Sequence, residues 1–547
     1  MGRSVIAIGL DSAEPSLVEA WMEAGQLPHL ARLRAEGAYG RLSSSMPHHK
    51  AEVPWTCFLT GCSAQRLGYW GPIAYDPARY LVRDILAYDL VDPAPFYELG
   101  DAFRVAVLDM PQTRICDGVN GLQVLGWGSH SPQHASQSRP AGLLDELTAR
   151  HGRHPLFGAD NIMQWRDDSA DRFVEGLCAG IARRAAIAVD LVGRERWNLF
   201  LAMFGESHSA GHALWHLSQP HPIGRWPRAS RTDPLLEVMR GLDAAVGEIA
   251  AAAPGDAAVV VFSAHGVESN NMDLPSNLFL PELLYRWSFP GRMALASPRA
   301  CPSLAAPPRM SSRNIWLLDA WNLRDERNPL KPWLRRTVPH HLYGRLRLDR
   351  LSGPGQKTPL VQHPPGADYL AWLPASWYQP LWPEMKAFAL PSFSDGYVRL
   401  NLRGREAAGR VERSAYKEVA DEIAGLLAEL RDARTGRPVV RDLLRVRSGA
   451  TADDPGLPDA DLVVEWDPEV TTDAVESPRF GRIGPAPYFR TGGHSNRGFL
   501  IARGPGFAPG GRLPDGDPLD LAPTLLDMLG APIPGHCEGR SLRAPGA

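Results

Sequence analysis

The stretch Leu199-Phe-Leu-Ala-Met-Phe-Gly-Glu-Ser-His-Ser-Ala-Gly-His-Ala-Leu-Trp215 runs from an unbroken apolar segment into a polar break, then through two histidines four residues apart. The apolar part, Leu199 to Met203, reads as a buried strand. If the chain turns helical after it, His208 and His212 fall on one face, about one turn apart. Two ring nitrogens so placed can share one divalent cation. A solitary His-x-x-x-His is more often a pair of polar side chains in a strand-to-helix loop, so its weight depends on the rest of the chain.

Working outward, several other apolar runs end in a polar residue. Ser4-Val-Ile-Ala-Ile-Gly-Leu10 stops at Asp11, Arg104-Val-Ala-Val-Leu at Asp109, and Ala257-Ala-Val-Val-Val-Phe262 at Ser263-Ala-His265. In open parallel sheets ligands collect at the carboxyl ends of strands. Helices are expected between these runs, at 15–25, 171–191 and 233–252. In the last of these Leu235, Val238, Met239, Leu242, Val246 and Ile249 recur at helical spacing and are expected in the core. Gly493-His494 precedes the apolar run Phe499-Leu-Ile-Ala502, and a closing helix is expected over 520–529. Strands alternating with helices predict an α/β fold: a doubly wound, mostly parallel sheet with helices on both faces. Residues 271–390, rich in Pro, Trp and Arg and weakly periodic, read as an inserted loop-rich cap. Residues 1–270 and 391–547 then form the core.

Composition sets outer limits. With 547 residues, 44% of them hydrophobic, the chain can bury a large core. A net charge of −3 gives no sign of a nucleic-acid partner. The six cysteines are scattered and contain no Cys-x-x-Cys pair, which favours a reducing compartment. No run of roughly 18 apolar residues suggests a membrane span, and the first ten residues are too short an apolar run for a signal peptide. The expected location is the cytoplasm.

Four polar clusters near strand ends (Asp11, the His208/His212 pair, His265 and His494) make a converging metal site the better reading. In order along the chain, six segments resemble the alkaline phosphatase superfamily, on its type I phosphodiesterase/nucleotide pyrophosphatase branch. They are Ile8-Gly-Leu-Asp11, Pro54-Trp-Thr-Cys-Phe-Leu-Thr-Gly61, Ser207-His-Ser-Ala-Gly-His212, Phe262-Ser-Ala-His-Gly266, Gly493-His-Ser-Asn-Arg-Gly498, and Asp520-Leu-Ala-Pro-Thr-Leu-Leu526 with its tail Glu538-Gly-Arg-Ser-Leu542. The resemblance implies two divalent metals, usually zinc, a Thr or Ser nucleophile, and hydrolysis of phosphoric esters. It implies one metal at positions 208, 212 and 494, a second at 11, 264 and 265, and the nucleophile between them.

The chain departs from that pattern at three positions. His208 stands where the family has Asp, Ala264 stands where it has Asp, and the nucleophile position falls on Ala51. Three neutral imidazoles with an open fourth position are a known catalytic zinc arrangement. One tight zinc site is therefore expected, with a weak or absent second site at Asp11 and His265. Water activated by the metal is expected in place of the missing nucleophile. Glu206 is a candidate general base or partner of a liganding imidazole, and Lys50 and Arg497 are candidate cations for an anionic, phosphate-containing substrate. Two further readings stay open: a relative acting on a sulfate, phosphonate or other substrate, and a pseudoenzyme that keeps the fold for binding.

Overall fold

The computed structural model describes residues 3–45, 53–85, 92–128, 136–157, 169–224, 232–295, 304–310, 328, 330–338, 342, 345–346, 348, 373–449 and 454–543. A nine-stranded sheet organises it. From one edge to the other run the strands Gly511–Arg512, Ala38–Ser43, Arg497–Arg503, Ala258–Ser263, Val5–Leu10, Leu199–Phe204, Gly100–Leu108, Val119–Leu125 and Gln137–Arg139. The five strands from Ala258–Ser263 to Val119–Leu125 are mutually parallel, while Arg497–Arg503 runs antiparallel to both its neighbours.

The central strands Val5–Leu10 and Leu199–Phe204, and Ala258–Ser263 up to its final serine, are apolar because both faces are covered. Successive side chains alternate between the faces. Ile6, Ile8 and Leu10, with Phe200, Ala202, Val259 and Val261, pack on the side that holds the helices Ser169–Arg194 and Pro234–Ala252. Val5, Ala7, Leu199, Leu201, Val260 and Phe262 pack on the opposite side, against Phe58 and Leu59 of the helix Val53–Thr60 and Leu525 and Leu526 of the helix Leu521–Leu529. All six apolar positions expected in the core of the 233–252 segment are buried. Its helix starts at Asp233, whose carboxylate accepts from Leu236 N at 3.1 Å.

Two further parts of the chain pack into the same hydrophobic cluster. The described start of the expected cap, residues 271–295, holds a π-helical turn Pro275–Phe279 and a helix Leu280–Ser288. Leu278, Phe279, Leu283 and Leu284 of this part are fully buried in the main core. Pro275 and Pro281 open successive helical segments and interrupt the 3.6-residue period, which hides the core face from sequence. The strands after residue 387 do not all extend the main sheet. Ala387–Leu390, Gly396–Leu400, Leu462–Trp466 and Val440–Arg445 form a separate four-stranded antiparallel sheet, backed by the helix Tyr416–Ala428 and by Trp382, which stacks on Phe388 at 4.6 Å. No helix among the described residues is long and apolar enough to cross a membrane.

Candidate functional site

Strand register alone brings the distant polar clusters together. Leu10 lies opposite Phe204, and Gly9 lies opposite both Met203 and Phe262, so the residues after these strands emerge side by side. Asp11 N donates to Phe204 O at 2.9 Å. The Ser207 hydroxyl donates to Asp11 O at 2.6 Å, which ties the first turn of the helix Glu206–Ser218 to the end of the first strand. Arg497–Arg503 runs the other way, with Phe499 opposite Ser263, so its beginning lies at this same edge. The strand just before it, Gly492–Ser495, pairs antiparallel with Gly266–Ser269 and sets His494 opposite Val267.

At that edge His208, His212 and His494 present ligand atoms that all lie within 4.8 Å of one another. His208 Nε2 and His212 Nε2 are 3.0 Å apart. Two donors about 2.0–2.1 Å from a tetrahedral zinc are separated by about 3.3 Å, so this spacing suits a shared cation. The His212 tautomer follows from its partners. Its Nδ1 lies 2.7 Å from Gly492 O, which can only accept, and its Nε2 lies 2.9 Å from Arg490 Nη1, which can only donate. Nδ1 therefore carries the proton, and Nε2, 3.0 Å from His208 Nε2, is the unprotonated nitrogen. An imidazole oriented in this way through its second nitrogen is the usual arrangement of a metal-binding histidine.

Asp11 and His265 form an adjoining pair, with Asp11 Oδ1 3.3 Å from His265 Nε2 and both side chains buried. Trp55 covers them: its indole N–H donates to Asp11 Oδ1 at 3.2 Å and its ring meets His265 edge-on at 5.7 Å. Ser12 joins the pair to the trio. Its Oγ lies 3.2 Å from His265 Nδ1 and 3.4 Å from His494 Nδ1, and the two rings are 4.8 Å apart. Ser12 has φ +58°, a conformation uncommon outside glycine. The structure thus brings Asp11, His208, His212, His265 and His494 to one place. Ala264 stays apolar and fully buried beside them. Lys50, Ala51, His48, His49 and Glu52 lie outside the described residues.

The Glu206 carboxylate accepts from Arg184 Nε at 3.1 Å and His154 Nε2 at 3.2 Å, in a fully buried cluster where Arg184 also pairs with Asp109. Burial pushes its pKa up, but the Arg184 guanidinium and the His154 contact outweigh burial and hold it down at about 2. A carboxylate that weakly basic is a poor proton acceptor near neutrality. The cluster instead fixes the start of the helix that carries His208 and His212. Arg497 is likewise occupied, by Glu14 at 2.9 Å and Glu268 at 3.3 Å. Thr56, a hydroxyl close in sequence to position 51, donates to Val53 O at 2.9 Å.

The groups the sequence did not single out are Arg490, Ser12 and Arg184. Arg490 lies only four residues before His494, which marks its neighbourhood but not its contacts. Arg184 stands alone among Ile181, Ala185 and Ala188 on the apolar side of its helix, where an unpaired charge would be costly, and that position was a usable signal.

Residues 5–353 match the family described as type I phosphodiesterase / nucleotide pyrophosphatase. No curated protein matches the chain. Among solved structures, phosphonoacetate hydrolase from Sinorhizobium meliloti 1021 in complex with phosphonoformate is similar at 15% identity, covering 97% of this chain and 95% of that one, with a TM-score of 0.47. Murine ectonucleotide pyrophosphatase / phosphodiesterase 5 is similar at 12% identity, covering 98% of this chain and 97% of that one, with a TM-score of 0.44. The human counterpart stands at 11% identity, with coverages of 98% and 97% and a TM-score of 0.42. With the family match spanning more than half of its length, this chain belongs to the type I phosphodiesterase/nucleotide pyrophosphatase family.

Proposed function

We propose that the protein is a metal-dependent hydrolase of a phosphoric ester or anhydride, acting on a small anionic substrate. The observation that carries this reading is the convergence of the His208, His212 and His494 ligand atoms within 4.8 Å at the strand-end edge. An all-imidazole donor set suits zinc, and the His212 tautomer leaves Nε2 unprotonated and able to bind a metal in place of its contact with Arg490. Asp11 and His265 are only two ligands and would hold a second cation weakly. A bound zinc supplies Lewis acidity toward a phosphoryl oxygen and lowers the pKa of a water to about 7.

The chain's own residues then orient and enclose. Gly492 O fixes the His212 ring, Ser12 bridges the outer nitrogens of His265 and His494, and Trp55 shields Asp11. Ala51 has no nucleophilic atom, so no covalent intermediate forms through that position. The described cysteines Cys57, Cys62, Cys116, Cys178 and Cys537 are thiols, in keeping with a reducing, cytoplasmic location.

Metal analysis of the purified protein tests the reading together with turnover of p-nitrophenyl phosphate, its diester and its sulfate. About one zinc per chain and hydrolysis of a phosphate ester are expected, both lost in His212→Ala. A wild-type protein that takes up no zinc and hydrolyses none of these esters would overturn the reading in favour of a binding protein on this fold. Turnover of the sulfate alone would move it to a different substrate class.

A further inference from the structure

Arg490 is the one described cation held directly against the histidine cluster by a contact of its own. It sits in the loop leading into Gly492–Ser495, and its guanidinium is anchored along one edge only. Nε donates to Asp273 Oδ2 at 2.7 Å and Nη2 to Asp273 Oδ1 at 3.1 Å. Asp273 is itself held by Asn270 Nδ2 at 2.8 Å, and Asn270 Nδ2 also reaches Arg490 O at 3.3 Å. This bidentate grip fixes the plane of the guanidinium and leaves Nη1 as the free-standing end. Nη1 points into the cluster and lies 2.9 Å from His212 Nε2.

That contact cannot persist when the same lone pair binds a metal. Once His212 Nε2 is engaged, the Nη1 hydrogens still face the same space but have lost their acceptor. A partly buried guanidinium edge that loses its acceptor favours a replacement, and the group that can replace the nitrogen is an oxygen of an anion lying at the cluster. We propose that Arg490 is an oxyanion clamp: with Asp273 as its brace, it donates through Nη1 to a peripheral oxygen of a phosphoryl or phosphonyl group bound at His208, His212 and His494. The clamp rests on the metal centre proposed above and names the group that recognises the substrate there. It selects a tetrahedral anion with at least two unesterified oxygens, one for the cation and one for the guanidinium.

Inorganic phosphate is the probe. Its affinity is measured by calorimetry on zinc-loaded and zinc-free protein, with zinc affinity followed separately by competition with a chromophoric chelator. In Arg490→Gln, phosphate affinity should fall by about 10- to 100-fold, the range for a lost charge-assisted hydrogen bond. Zinc affinity should hold or rise, because a competitor for the His212 lone pair is gone. Arg490→Lys keeps the charge but not the fork, and should recover only part of the loss. Steady-state turnover should show a larger change in KM than in kcat. Unchanged phosphate affinity in a folded, zinc-loaded Arg490→Gln overturns the clamp and leaves the metal centre standing. A parallel loss of zinc and phosphate would make Arg490 merely structural and also overturn the clamp. Phosphate bound in an Arg490-dependent way by a wild-type protein that takes up no zinc would overturn both the metal centre and the clamp as stated, because Nη1 would have left His212 without a metal on that nitrogen.

Discussion

Replacing Glu206 by Gln separates a buttress from a base. The carboxylate is buried, and one oxygen accepts from both Arg184 and His154. Its pKa stands at about 2 against an ordinary 4.5. That difference is worth about 3 kcal/mol in favour of the ionised form, at 1.36 kcal/mol per unit. Because the folded value is the lower one, this stabilisation is fully present above pH 4.5 and is lost as pH falls from there towards 2. Gln keeps the shape and one acceptor but removes the charge. It also places an amide N–H at Oε2, where the carboxylate has no hydrogen-bond partner among the described residues. Arg184 retains Asp109 and Gly128 O, so the guanidinium is not stranded and the loss should stay near 3 kcal/mol rather than exceed it.

The assay is urea unfolding of both proteins at pH 7.5, with turnover then measured on the folded, zinc-loaded fraction across pH 5–9. The expected result is a lower unfolding midpoint, with kcat for the folded fraction within a few-fold of wild type and the shape of the pH profile kept. If Glu206→Gln unfolds like wild type but loses turnover together with the acid limb of its profile, the carboxylate is a catalytic base after all.

Two further changes probe the scaffold. A Cβ at Gly492 would lie 2.1 Å from Gly211 O. Gly492→Ala should push the His494 segment off the His208/His212 helix, cost about 1–3 kcal/mol as an overpacked contact and weaken zinc binding, read by chelator competition. Burial, then the neighbouring His216, holds the His221 imidazole down at about 3. Its folded pKa lies below the unfolded 6.5, so stability is intact above pH 6.5 and falls as pH drops from there towards 3. That amounts to about 2 kcal/mol at pH 5. His221→Phe, which keeps the edge-on contact with Tyr488 at 4.9 Å, should remove this part of the acid sensitivity in unfolding titrations at pH 7.5 and 5.

The site was readable where chemistry follows directly on hydrophobic pattern. Asp11, His208 and His265 each come just after an apolar run buried on both faces, and parallel register then fixes their adjacency, as Leu10 opposite Phe204 shows. His494 was reachable by the same logic from the other side, since an antiparallel strand begins where its parallel neighbours end. The role of Arg490 was not readable, because it depends on a carboxylate 217 residues away. Nor was that of Glu206, because a loop carboxylate and a buried one look alike until Arg184 and His154 are placed. The second sheet was not readable for a related reason. Gly396–Leu400 and Leu462–Trp466 have the composition of interior strands, but composition names a strand without naming its partner.

The substitutions around the cluster act in one electrostatic direction. The family pattern carries carboxylates at positions 11, 208 and 264. This chain keeps Asp11 alone, with an imidazole at 208 and a methyl group at 264. In the proposed centre the first cation therefore meets three neutral donors and retains its full charge, while the second position loses one of its two carboxylates. Divalent cations bind where anionic ligands offset their mutual repulsion, so removing two negative charges disfavours a second cation more than a first. The same change raises the positive potential felt by an anionic substrate, and Arg490 adds a directed donor at that point, its own charge balanced by Asp273. Ala51, at the position where the family resemblance implies the nucleophile, fits this proposed arrangement. A site that holds one cation and grips its substrate by an oxyanion no longer relies on a second cation to activate a hydroxyl on the enzyme.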